Sequence, residues 1–430
     1  MKKQSEDAPI EEMAAPSRVL LPVVQHIGSP AEPCVGAGDP VFKGQKIAES
    51  TGFISACLHS PVSGKVVTIE SRMTPWGRPC DHIVIDNDGK NAWREGNNRE
   101  RDPRLIKDEE IVEIVHEAGI VGLGGAAFPT HVKLSPPKNA VIDTLIINGV
   151  ECEPYLTGDA RLMFERPKEV ALGITLLMRA LKVRRVVVGI EANKKKPYAT
   201  MRAALRDEKN VSVELLEVKY PQGAEKQLIH ALLRKKVPSG AFPYEIGVVV
   251  QNVATAYAVY EAVVMNRPLI ARLVTVTGEG IERPANLMVP IGTPLIDVMK
   301  RQGLRQTTCQ IIVGGPMMGS AICDPHFPVI KGTSGIVALT RIIEVRESPC
   351  IRCGRCINVC PMFVMPTAIA LAVKAGEAAR YEHLHVLECM ECGSCAFSCP
   401  AHIPLVQYIK LAKAALAAMN ALRGKPRSIT

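Results

Sequence analysis

Residues 350–361 read CIRCGRCINVCP and residues 389–400 read CMECGSCAFSCP, two copies of one pattern, Cys-x-x-Cys-x-x-Cys-x-x-x-Cys-Pro. Three thiols at this spacing can wrap one iron–sulfur cube, and the fourth ligand must come from elsewhere; in paired runs each remote cysteine serves the other cube. That rule assigns Cys350, Cys353, Cys356 and Cys399 to one [4Fe–4S] cluster, and Cys389, Cys392, Cys395 and Cys360 to a second. Gly354 and Gly393 let the backbone turn tightly and aim amides at sulfur. Zinc is the competing metal, but its sites use pairs of Cys-x-x-Cys rather than Cys-x-x-Cys-x-x-Cys. Eight of the fourteen cysteines are thereby explained. The other six, Cys34, Cys57, Cys80, Cys152, Cys309 and Cys323, lack ligand spacing and read mostly as buried small hydrophobes.

The ligand run is that of bacterial two-cluster ferredoxins. The rest of the chain is much larger than such a module. At 430 residues with 47% hydrophobic composition it can fill two to four cores, which excludes a disordered or fibrous protein. Aromatics make up 4%, and no basic patch is interleaved with them, so nucleic-acid binding is disfavoured despite a net charge of +9. No stretch reaches the roughly 18 apolar residues of a membrane span, and no signal peptide opens the chain. A cytosolic setting is expected, where so many thiols point to metal rather than disulfides.

Upstream, the texture changes three times. Residues 1–16, MKKQSEDAPIEEMAAP, are polar and read as a flexible N-terminus. Residues 17–98 read as short strands with turn punctuation. Their order G-D-x-V-x-x-G-Q-x-I … S-P-V-S-G-K-V resembles the biotinyl/lipoyl barrel-sandwich domain. The hairpin that carries the modified lysine in that family is here Ser50–Ser55 without lysine, so a scaffold is expected rather than a carrier. Residues 100–267 alternate helix and strand, which calls for a mainly parallel sheet. Expected helices cover 108–118 (capped by Asp108), 167–182, 197–207, 224–236 and 254–265; expected strands cover 141–148, 185–190, 211–218 and 246–250. Residues 268–335 turn strand-rich again. After a linker near 341–349, residues 342–422 form the cluster domain, whose segment TAIALAVKAG between the cysteine runs is helical in character. Its last helix is followed by further basic residues, with Lys410, Lys413, Arg423, Lys425 and Arg427 and no acid over 401–430. It reads either as a docking helix for partner subunits, the preferred expectation, or as a helix packed on the cluster module.

Within the α/β domain, residues 119–133 read GIVGLGGAAFPTHVK. Glycines let amides approach a phosphate, and the following lysine matches its charge. A ligand-free turn fits equally well on this segment alone; it is neither a Walker A loop nor a G-x-G-x-x-G after a strand. Three strand ends add polar groups to the same side of the sheet: Asn148-Gly149-Val150-Glu151-Cys152-Glu153-Pro154, Tyr220-Pro221-Gln222-Gly223-Ala224-Glu225 and Gln251-Asn252-Val253-Ala254-Thr255. The carboxyl ends of parallel strands are where open sheets bind ligands. Each of these could also be a satisfied turn, and Thr255 a helix cap.

Taken in order, these segments resemble the flavin and NADH site of the NADH-oxidising subunit of respiratory complex I. Over nearly the whole chain, the ordered set GGAAFPTHVKL, NGVECEPYLTGDARLM, YPQGAEKQL and the two cysteine runs resembles the RnfC family of the Rnf electron-transport complexes. The resemblance implies a multidomain α/β protein: an N-terminal barrel-sandwich β domain, a Rossmann-like flavin domain, a β-grasp (SLBB-like) segment and a helical double-cluster ferredoxin domain. It implies that Gly122, Gly124, Gly125 and Lys133 cradle the phosphate of FMN. Asn148, Glu151, Gly223, Asn252 and Thr255 would line the flavin, and Phe128, Glu153 and Glu225 would face NAD(H). Against the complex I pattern, Leu123 replaces an arginine, Ala127 a glycine, Val150 an aspartate and Ala224 a glutamate, departures that bear on nucleotide contacts more than on flavin.

A nicotinamide releases two electrons together as hydride, whereas a cube accepts one, so a flavin between them is chemically apt. The resemblance therefore implies a peripheral subunit of an ion-translocating NAD–ferredoxin oxidoreductase on the cytoplasmic face of the inner membrane. Its partners would be NAD(H) and the other subunits, a ferredoxin-type subunit among them, through which it would meet the membrane. The alternatives are a flavin-free electron-relay adaptor and the electron-input subunit of a soluble reductase.

Overall fold

The computed structural model describes residues 2–75, 77–342 and 346–422. Four sheets organise them. In the first domain, Arg18–Pro22, Pro79–Asn87, Gly64–Met73 and Pro40–Val41 form one sheet, and Glu32–Pro33, Lys46–Glu49 and Leu58–His59 another. Val19, Leu21, Ile47, Val66, Ile83 and Ile85 are buried together in the core of this domain.

The α/β domain holds a four-stranded parallel sheet in the order Val211–Leu216, Arg185–Glu191, Thr144–Gly149, Val248–Asn252. Its central strands are runs of Val and Ile because helices cover both faces. The chain moves outward through three strands and then returns to the other flank of the first. The resulting switch point lies between Thr144–Gly149 and Val248–Asn252, with Asn148 opposite Asn252. Two of the covering helices, Pro167–Leu181 and Val253–Val263, touch backbone to backbone: a Cβ on Gly173 would stand 1.9 Å from the Ala256 carbonyl oxygen. The expected elements are present with ends shifted by at most three residues, and two short helices, Thr130–Leu134 and Gly158–Glu165, were not anticipated. Asp108 is the first helical residue rather than the cap, which is Lys107.

The third unit is a mixed six-stranded sheet with one helix, Leu295–Arg301. It extends past the expected limit at 335, since Gly335–Leu339 pairs with both Ala271–Thr277 and Gln310–Val313. Its outer strand comes from the start of the chain. Ile10–Glu12 pairs in parallel with Ala285–Pro290, and Ser5 is fully buried. The flexible N-terminus expected for 1–16 is thus corrected over the described residues 2–16. Their polar groups find partners on the third unit and on the α/β domain, long-range pairings that no local pattern announces.

The cluster module packs short helices around Pro366–Lys374 and Leu405–Leu422. The last helix buries Leu405, Val406, Ile409, Ala412 and Leu416 inside this module. Lys413 and Lys410 lie 2.8 and 3.7 Å from Glu391. Packing on the module therefore accounts for this apolar stripe and for Lys413, while Lys410 and Leu411 remain exposed, which leaves the docking expectation standing; Arg423, Lys425 and Arg427 lie outside the described residues. No helix among the described residues is long and apolar enough to cross a membrane. Of the six remaining cysteines, Cys57 and Cys80 are buried and Cys152 half-buried, but Cys34, Cys309 and Cys323 are exposed, which corrects the buried reading for those three.

One buried cation ties three units together. Lys331, from the third unit, is 1% exposed and donates 2.6 Å hydrogen bonds to the carbonyls of Cys57 in the first domain and Gly119 in the second. Burial lowers its ammonium to about 7. Between that value and the ordinary lysine range the unfolded chain holds a proton that the folded chain lacks, so stability rises with pH across this window. Denaturant melts at pH 7, 8 and 9 should show a steeper rise for the wild type than for Lys331→Met, by up to ~1.4 kcal/mol per pH unit. Parallel slopes for the two proteins would show that Lys331 keeps its proton in the fold.

Candidate functional site

The glycine loop follows the helix Asp108–Glu117 and leads into Thr130–Leu134. Two bonds hold its backbone from opposite sides. The Leu123 amide donates to Thr255 Oγ1 at 2.9 Å, and Arg272 Nη2 donates to the Leu123 carbonyl at 2.6 Å. Gly124 and Gly125 are exposed beyond this anchor, and Phe128 is half-buried. A Cβ on Gly124 would sit 3.3 Å from Asn252 Cβ, while Gly125 has a φ of +125° with nothing within 4 Å. Gly122 passes 3.4 Å from the Phe128 carbonyl by the same measure. The loop is thus an open rim of backbone seated directly on the switch point.

The second strand end is held by a buried polar network. Asn148 Nδ2 donates to the Gly223 carbonyl at 2.8 Å, and its Oδ1 accepts from the Val150 amide at 3.1 Å. This joins two of the predicted segments across the crevice. Glu151 turns the chain with a φ of +49°, and its Oε1 accepts from the Asp159 amide at 2.7 Å. Burial pushes its carboxyl up to about 7, against the pull of Lys2 and Lys194. Lys194 Nζ, itself buried, donates to the Val150 carbonyl and to Glu191. Asn252 donates to Asp159 Oδ2 at 2.7 Å and caps the helix Val253–Val263 by accepting from the Ala254 amide. Asn252 is therefore the cap, and Thr255 is free to hold the glycine loop.

The acids predicted to face the nucleotide are placed differently from one another. Glu225 lies 2.6 Å from Lys133 Nζ, which also donates to the Val250 carbonyl at 3.2 Å. Glu153 instead accepts from the amides of Met317 and Met318, at 3.2 and 2.8 Å, and faces the third unit. Gly223, between them, passes its amide to Cys152 Sγ at 3.3 Å.

The cluster module abuts this crevice. Tyr220 OH donates to the Cys392 carbonyl at 2.7 Å, and Gln227 Nε2 to the Pro361 carbonyl at 3.0 Å. Gly393 approaches so closely that a Cβ there would be 2.8 Å from the Met317 carbonyl oxygen. Beside these contacts is a cavity whose lining includes Cys360, Cys389, Cys392 and Cys395. Of the other four cysteines, Cys350 and Cys353 are exposed, and Cys356 shares a packed cluster with Cys399. Burial and neighbouring thiols push the Cys395 thiol up to about 12, so bound iron would have to displace its proton.

Three segments match described families: residues 1–90 the RnfC barrel sandwich hybrid domain, 115–261 the Nuo51 FMN-binding domain, and 341–403 the 4Fe-4S dicluster domain. The C subunit of the proton-translocating ferredoxin:NAD(+) oxidoreductase complex of Clostridium ljungdahlii is 44% identical, over 96% of this chain and 91% of its own. The chain belongs to the RnfC family. The C subunit of the ion-translocating oxidoreductase complex of Rhodobacter capsulatus is 43% identical over 96% of this chain and 81% of its own. Its counterpart in the Na(+)-translocating ferredoxin:NAD(+) oxidoreductase complex of Acetobacterium woodii is 39% identical over 97% and 95%. Among solved structures, a NAD+-reducing [NiFe]-hydrogenase matches with a TM-score of 0.51 at 20% identity, covering 76% of this chain and 68% of that chain, a likeness of fold.

For an RnfC-family chain the residues present suit the implied groups. The exposed glycine rim, and the buried Glu151 Oε2 and Gln251 Nε2 without hydrogen-bond partners among the described residues, fit a flavin nucleotide. The thiol-lined cavity fits a cube. Four contributors to the crevice escaped the sequence reading: Arg272, Asp159, Lys194 and Lys2. Asp159 sits in the quoted segment TGDARLM and was within reach. Arg272 comes from the distant strand Ala271–Thr277 and Lys2 from a 3-10 turn, Lys2–Gln4, far away in sequence; neither carries a local signal.

Proposed function

We propose that this chain is the peripheral subunit of an Rnf-type ion-translocating NAD–ferredoxin oxidoreductase, exchanging hydride between NAD(H) and FMN and passing single electrons through two [4Fe–4S] clusters. The observation that carries this reading is the contact between the flavin crevice and the cluster module, where Tyr220 bonds the backbone of Cys392. Bound FMN would supply the conversion between a hydride pair and single electrons.

The chain's own groups have definable tasks. Gly122, Gly124 and Gly125 present backbone to the phosphate, with Thr255 and Arg272 keeping the loop rigid behind them. Lys133 would exchange its bond to Glu225 for the phosphate, which frees that carboxylate for the nucleotide. Asn148, Asn252, Glu151 and Gly223 line the ring. Phe128 and Glu153 border the nucleotide side. Cys389, Cys392, Cys395 and Cys360 would hold the cube nearest the crevice, and Cys350, Cys353, Cys356 and Cys399 the more exposed one, suited to exchange with a ferredoxin-type partner. The mixed sheet after residue 268 is assigned to the β-grasp class. Attachment to the cytoplasmic face of the inner membrane would run through the other subunits.

Anaerobic purification tests the reading. About one FMN and about eight irons per chain are expected, with the flavin band bleached by NADH. Iron and sulfide without flavin would replace it by an electron-relay adaptor.

A further inference from the structure

The N-terminal segment is fastened to the two units that meet at the crevice. Ser5 Oγ lies 2.8 Å from Thr157 Oγ1, and its carbonyl accepts from Asn286 Nδ2 at 2.9 Å. Gln4 Oε1 accepts from Thr277 Oγ1 and the Gly278 amide, at 2.9 and 3.3 Å. This strap ends in the crevice wall. Lys2 Nζ donates to the Glu151 carbonyl and stands 3.9 Å from Glu151 Oε2, with side chains 20% and 6% exposed. That carboxylate oxygen is buried and accepts no hydrogen bond from the described residues. Ordering a lysine costs rotamer freedom, and desolvating its ammonium costs more. A strap that needed only anchoring could leave this side chain in water.

We infer that Lys2 is a positioning residue of the flavin site: the strap delivers it to hold the Glu151 turn and to offset that carboxylate beside the flavin ring. The inference rests on reading the crevice as an FMN site. Around Glu151 the other charged groups are Lys194 and Asp159, with Glu191 and the Cys152 thiol facing Lys2. Lys194 is paired with Glu191 at 2.8 Å, so among the described residues Lys2 is the cation closest to the Glu151 carboxylate without an acid partner of its own. Reduction adds negative charge to a flavin, and a nearby cation favours that state.

The test uses the full chain with FMN bound anaerobically, in wild type, Lys2→Met, Lys2→Gln and Lys2→Arg. The readouts at pH 8 are the flavin midpoint potential and the Kd of oxidised and reduced FMN. In Lys2→Met the ratio of reduced to oxidised Kd should rise about tenfold, with a correspondingly more negative potential. Lys2→Gln keeps a donor for the carbonyl without the charge and should shift the same way; Lys2→Arg should restore the ratio to within about twofold. FMN binding by the wild type with an unchanged ratio in Lys2→Met and Lys2→Gln overturns the inference alone. Failure of the wild type to bind FMN overturns the flavin reading and the inference with it.

Discussion

Combining Cys350→Ala with Cys399→Ala should leave about four irons per chain, whereas Cys350→Ala with Cys360→Ala should leave close to none. The two pairs differ only in the choice of remote cysteine. If each remote cysteine serves the other cube, the first pair disables one site twice and the second disables both. The cavity beside the crevice supports this crossing, because Cys360 lines it together with Cys389, Cys392 and Cys395 of the other run. A cube with three thiolates loses a ligand and a negative charge, and the buried thiols left behind favour their protonated form. The measurements are iron and sulfide content and the electron paramagnetic resonance of the reduced protein. The reverse outcome, four irons in the second pair and none in the first, would show that each run completes its own cube.

Gly124→Val should weaken FMN binding about a hundredfold and leave the iron content unchanged. Already at Cβ the new side chain would be 3.3 Å from Asn252 Cβ, and its two methyls have to go either into Asn252 or out over the rim. Overpacking of this kind costs about 1–3 kcal/mol. Displaced rim amides forfeit hydrogen bonds worth about 1 kcal/mol each, so a total near 3 kcal/mol, or about a hundredfold, follows. Asn252 cannot easily yield, since it caps a helix and holds Asp159. Gly124→Ala, with one methyl, should cost only a few-fold. Fluorescence titration of FMN into the flavin-free chain gives both values. An unchanged Kd in Gly124→Val would remove the loop from the phosphate site.

Much of this molecule was legible beforehand, for reasons that differ by region. The cysteine runs are readable because metal ligation is a matter of residue type and spacing within a dozen positions. The parallel sheet is readable because buried strands need unbroken runs of Val and Ile, as at Val186–Val188, with amphipathic helices between. The crevice residues were readable as strand ends, and Asn148, Gly223, Thr255 and the glycine loop do converge there. The reading failed where a segment's state depends on distant partners. The opening residues are polar by composition, yet they form a strand because Ala285–Pro290 offers an open edge.

The sequence by itself determined the alternating helices and strands of the α/β domain, which cysteines are spaced for cubes and which strand ends carry polar groups, since each of these is written in residues close together along the chain. Only the tertiary structure decided which cysteine run lies against the flavin crevice, that Arg272 and Thr255 brace the glycine loop, and that Lys2 reaches Glu151. Those contacts join residues more than a hundred positions apart. They exist because packing four sheets together brings such groups within 3 Å, and a buried polar group must then find a partner wherever the chain supplies one.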